Sequence, residues 1–121
     1  MSTVCDVWLD EERQIIRQRM HAEPDLAQFL ALEAETKACA RRLRCPQDVR
    51  ILVDGQWMGR MRKSVRAAAA TPLHDPELKR LAVVTKSRVV RILIRFMRVA
   101  TGVDKIRVFP DEVTALAWLL S

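Results

Sequence analysis

A chain of 121 residues, half of them hydrophobic and 30% charged, is long enough to bury a real core and has the profile of a globular protein. Its net charge of +6 favours anionic partners, while the absence of tyrosine and the scarcity of other aromatics argue against a base-stacking single-strand binder. Three cysteines, Cys5, Cys39 and Cys45, lack CxxC spacing and have only His21 and His74 for company, so no zinc site and no cofactor are expected.

The chain opens with "TVCDVWLD" and "RQIIRQRMH", two short strands around the polar break Asp10 to Glu12. "MSTVCDVWLDEER" has no basic segment followed by an apolar one, so it does not read as a signal peptide. No apolar run reaches about 18 residues, so no membrane-inserted helix is expected and the cytoplasm is the default location.

Residues 23–46 predict a helix. Pro24 and Asp25 suit its first turn, and Phe29, Leu32, Thr36, Cys39 and Leu43 repeat at helical spacing, with Leu26 and Ala40 beside them. Arg41, Arg42 and Arg44 close it, where cations complement the helix dipole, and Pro46 ends it. "DVRILVDG" is a buried strand and turn. "MGRMRKSVRAAAA" predicts a second helix with Met61, Val65 and Ala68 or Ala69 inward. "TPLHDPELK" is a loop and "RLAVVT" another buried strand.

"KSRVVRILIRFMRVATG" predicts a third helix with Ser87 as N-cap and Gly102 as its stop. Arg88, Arg91, Arg95 and Arg98 fall within about 80° of arc on it, and nearly all the rest of the circumference is apolar. The arginines can form a solvated strip whose stems cover apolar neighbours, or a basic ridge for an acidic partner, a membrane surface or a second copy. The expected packing puts Val89, Ile92, Leu93, Phe96 and Ala100 against the sheet and leaves Ile94 and Met97 projecting outward. "KIRVF" is the last strand. "PDEVTALAWLLS" is a closing helix with Val113, Leu116, Ala117 and Leu120 as its apolar stripe and Trp118 in the core.

The order β-β-α-β-α-β-α-β-α gives an α/β fold over residues 1–121, read as one domain. Crossover connections make its sheet of about five strands mostly parallel, and the first hairpin adds an antiparallel pair. "VRILVDG", "RLAVVTKSR" and "IRVFPDEVTALAWLL" together resemble the SpoIIAA-like branch of the STAS superfamily, whose bacterial members are small. The resemblance implies a non-enzymatic regulatory or protein-interaction module, with some relatives holding apolar or anionic ligands. Regulatory STAS domains are switched by phosphorylation of a serine in an Asp-Ser pair. The corresponding stretch here, "LVDGQWMGRMRKS", has no such pair. Its only hydroxyl, Ser64, falls inside the predicted second helix.

No catalytic constellation stands out. His74 lies beside Asp75 in a loop without a nucleophile elbow, and "DGQWMG" matches no phosphate-loop spacing. Ligands of open parallel sheets gather at the carboxyl ends of the strands. Candidate contact residues are therefore Asp54, Trp57 and Ser87 there, with Arg88, Arg91, Ile94, Arg95 and Arg98 on the arginine helix. Arg60, Arg62, Lys63 and Arg66 could extend the basic surface. The expected partner is another protein or a second copy in a homodimer. An apolar or anionic ligand, such as a lipid, is the alternative. Nucleic acid is disfavoured for want of a recognised motif.

Overall fold

The computed structural model describes residues 4–55, 62–102 and 104–121. The elements run β1 (Cys5–Asp10), β2 (Ile15–Met20), α1 (Leu26–Ala40), β3 (Val49–Asp54), α2 (Lys63–Ala70), a 3₁₀ turn (Thr71–His74), β4 (Leu78–Val84), α3 (Arg88–Thr101), β5 (Ile106–Phe109) and α4 (Glu112–Leu119). The predicted order is the observed one. Trp57, Arg60 and Met61 lie outside the described residues.

The five strands sit in the sheet in chain order, β1 to β5. β1 pairs antiparallel with β2, and every later neighbour is parallel, including β4 with β5. Three right-handed crossovers that all step the same way must put their helices on the same face. Accordingly, Phe29 and Leu32 of α1, Val65 of α2 and Val90 and Ile94 of α3 share one core with Ile16, Ile51 and Val83 of the sheet. α4 alone covers the other face, where Ala115 and Leu119 pack on Ile15, Leu52, Ala82 and Val84.

Local chemistry sets the helix ends. Asp25 caps α1 in a reciprocal box with Gln28, each side chain meeting the other's backbone N–H. Ser87 caps α3 by accepting from the Val90 N–H, and Gly102 ends it at φ 67°, a left-handed conformation that glycine adopts without strain. Asp111 caps α4 and accepts from the Thr114 N–H. Its carboxyl is held below the usual range by that bond and by the Thr114 hydroxyl.

Four expectations about the extent and facing of the helices fail. α1 stops at Ala40, so Arg42 and Arg44 lie beyond it: Arg42 reaches Glu11 at 3.6 Å, and the Arg44 N–H donates to Gln14. Leu26 is exposed, because it sits in the first turn before the helix meets the sheet. The stripe on α4 is rotated: Val113 is 79% exposed and Leu120 is exposed, while Ala115 and Leu119 are fully buried. A helix apolar on every side carries no phase, so the sheet chose the face. The fourth failure is α3, where Ile94 is buried and Met97 packs against the core while Val89, Ile92 and Phe96 face outward. Two apolar stripes at helical spacing compete there, and the crossover geometry selects the one containing Val90, Ile94 and Met97.

A row of arginines on the α4 face is what the sequence reading missed. Arg80 donates to the Trp118 carbonyl and Arg50 to that of Leu119, at the negative end of the α4 dipole. The guanidinium carbons of Arg80 and Arg107 lie 5.1 and 5.2 Å from the centre of the Trp118 ring, and Phe109 tilts against it at 5.5 Å. Arg17 bridges Asp10 and Glu112. Trp118 is thus half-buried beneath cations, not sealed in the core.

Candidate functional site

The predicted contact residues separate into two places. Asp54 ends β3 at the carboxyl edge of the sheet and pairs with Arg19 at 3.4 Å. Ser87 follows β4 at the same edge, but its hydroxyl is spent on the Val90 N–H at 3.4 Å, and its own N–H donates to Thr85 Oγ1 at 3.1 Å. Arg88 is exposed one residue later. Ser64 is the second residue of α2, in its first turn and exposed, not well inside a helix as expected.

Arg91, Ile94, Arg95 and Arg98 come together elsewhere. With Arg107 and Val108 of β5 they line a cleft of about 200 Å³. The outward stripe of α3, Val89, Ile92, Phe96 and Val99, runs along the other border of the arginines, with Ile92 at 66% and Val99 at 84% exposed. The arginines thus border an apolar surface as anticipated, but its residues are not Ile94 and Met97.

A second concave feature was not foreseen. Between α1 and α3, against the three-helix face of the sheet, lies an apolar cavity of about 400 Å³. Its walls include Phe29, Leu32, Ile51, Val83, Ile94 and Met97, and the 3₁₀ turn flanks it. Its origin is in the sequence: α2 has eight residues and ends in four alanines, which fill little of the space between the longer α1 and α3.

A few polar groups interrupt the apolar wall. The Gln18 side-chain amide, buried on β2, donates to Thr36 Oγ1 at 2.8 Å, and that hydroxyl donates to the Leu32 carbonyl. Glu33 also lines the cavity, and burial pushes its carboxyl above the usual range against the pull of Lys37. The signal available in sequence was the pair of polar residues on apolar faces: Gln18 between Ile16 and Met20, and Thr36 one turn after Leu32. Polar groups placed inside an apolar pocket orient a ligand.

No metal site assembles among the described residues. No three His, Cys, Asp or Glu side chains are grouped to share a metal. The His21 ring and Asp6 meet at 2.6 Å on the exposed face of the hairpin. No helix among the described residues is long and apolar enough to cross a membrane.

Comparison with known proteins bears on the fold. The crystal structure of an uncharacterised protein from Shewanella loihica PV-4, of the DUF3478 family and with a SpoIIAA-like fold, superposes with a TM-score of 0.73 over 98% of each chain, at 12% identity. No curated protein matches in sequence. The family model described as SpoIIAA-like matches residues 15–120, from the second strand to the end of the last helix. With this match over most of its length, the chain belongs to the SpoIIAA-like family.

Proposed function

We propose that this protein is a non-enzymatic binding module whose ligand is an apolar small molecule, of acyl-chain character, held between α1 and α3. The observation that carries this reading is the cavity of about 400 Å³, a size typical of ligand pockets. A sealed void of that volume would cost on the order of 10 kcal/mol at about 24 cal/mol per Å³, which is comparable to the whole net stability of a domain. Such space is sustained by occupancy or by access to solvent. The Gln18–Thr36 pair and Glu33 would orient the polar end of the ligand.

The test is native mass spectrometry of freshly purified protein, followed by titration with a fluorescent fatty-acid analogue. Ala69 lines the cavity, so Ala69→Phe fills it from the wall. Saturable binding in the wild type, lost in a folded Ala69→Phe variant, supports the reading. A wild type that neither retains a ligand nor binds the probe removes it.

A second reading, a protein-interaction module, is favoured by the bare stripe Val89, Ile92, Phe96 and Val99 on α3. Each large apolar side chain left in water forgoes about 1.5–3 kcal/mol of burial, so a covering partner or second copy would gain from it. Sedimentation of the wild type as a dimer, and of Phe96→Ser as a monomer, would support self-association. A wild-type monomer would leave this surface to another protein.

A further inference from the structure

We infer that the cleft between α3 and β5 is a binding site for a phosphate-bearing anion. This stands apart from the apolar cavity and does not rest on it. Arg91, Arg95 and Arg98 follow one another at four and three positions, which places them on one side of α3, the side next to β5. Arg107 of β5 closes the cleft, and Ile94 and Val108 supply its apolar floor.

The charge is unbalanced. Asp104 is the carboxylate within reach: it pairs with Arg98 and stands 4.0 Å from Arg107. Arg91 and Arg95 have no acidic partner within that distance among the described residues. Like charges three and four positions apart on a helix repel, so the arrangement costs stability unless an anion neutralises it. Arg107 is braced against Trp118 and Arg98 by Asp104, so two of the four cations are already positioned.

The backbone adds a donor. The Leu81 N–H donates to the Lys105 carbonyl and the Thr85 N–H to that of Phe109. Residues 105, 107 and 109 therefore face β4, and by strand alternation the N–H groups of Ile106 and Val108 turn the other way. β5 is the edge of the sheet, so the Val108 N–H meets no further strand there, and Val108 is itself one of the residues lining the cleft. Guanidiniums with a main-chain N–H in a small concave site suit a tetrahedral dianion, which accepts several bidentate and single hydrogen bonds at once. About 200 Å³ admits one phosphate group and a small substituent, not a chain of them.

The probe is inorganic phosphate, then phenyl phosphate, titrated by calorimetry at fixed ionic strength against chloride. Arg91→Gln and Arg95→Gln should each weaken binding at least tenfold. Arg66→Gln on α2, an exposed site outside the cleft, removes the same charge and should change it less than twofold. Two further arms separate the sources: vesicles of phosphatidylglycerol, and vesicles of phosphatidylcholine alone. Capture by the anionic vesicles, displaced by free phosphate and lost in Arg95→Gln, assigns the site to a lipid headgroup. Phosphate binding without vesicle capture assigns it to a soluble phosphorylated compound. Absence of phosphate binding by the wild type, or equal weakening by all three substitutions, overturns the proposal.

Discussion

Ile94 and Phe96 stand two positions apart on α3 and face opposite ways, Ile94 at 6% exposed and Phe96 at 69%. Ile94→Ala should therefore destabilise the fold by about 2–4 kcal/mol through lost burial and a residual cavity. Phe96→Ser should stay within about 0.5 kcal/mol, as surface changes do. Urea melts of both variants decide it. Equal effects would mean that α3 is turned differently on its axis. The pair also shows why a charge placed at Ile94, which the sequence pattern puts on the outer face, would report on folding and not on association.

Thr36 is the acceptor for the buried Gln18 amide. Thr36→Val keeps the shape but strands that amide in an apolar wall. A cost of about 1–3 kcal/mol is expected, the penalty of an unsatisfied buried donor. The same denaturant series measures it. A neutral result would show water reaching the amide through the cavity.

Glu33 gives the fold a signed pH response. Burial raises its carboxyl pKa in the folded state, so between the ordinary carboxylate value and the raised one the native protein binds more protons than the unfolded chain. Stability contributed by this group falls as pH rises through that window and stays reduced above it. Glu33→Gln should accordingly be more stable than wild type at pH 7, with the advantage gone at pH 4, where both forms carry an uncharged side chain. Thermal melts at the two pH values check this, and an advantage that survives at pH 4 would trace to amide contacts instead of charge.

Trp118 is packed on one side by Phe109 and overlaid by Arg80 and Arg107. Because it is half-buried, Trp118→Ala should cost about 2–3 kcal/mol, below the roughly 3–5 kcal/mol of a sealed aromatic. The cationic contacts supply part of that, at about 0.5–1 kcal/mol each. Arg80→Met, which keeps the stem, isolates the cationic share when combined with Trp118→Phe in a double-mutant cycle.

The element order was legible because each strand–helix alternation carries its own period and punctuation: Ser87 and Gly102 were readable as helix ends, while Asp25, read as a first-turn residue, turns out to be the N-cap of α1. Helix phase was not legible in α3 and α4, since residues on several sides of each are apolar and local pattern cannot say which side the sheet will take. The arginines of α3 were visible, but their meeting with Arg107 and Val108 depends on β5 lying beside that helix, 9 or more residues away in sequence. The cavity was invisible for a different reason. It is a shortage of volume, produced by a short alanine-rich helix between two longer ones, and no single residue marks it.

The spatial order of the strands, identical to their order in the chain, has a consequence for synthesis. Each new strand finds its neighbour already made, so loop closure for every pairing spans only one hairpin turn or one crossover, and the sheet can grow by accretion as the ribosome delivers it. The exception is the far face. Ile15, Leu52, Ala82 and Val84 are deposited one after another with nothing above them until Ala115 and Leu119 arrive from the last ten residues. A nascent or truncated chain ending before Glu112 therefore carries a bare apolar sheet with arginines along it, and the arrival of α4 is the event that takes this surface away from chaperones and from other copies.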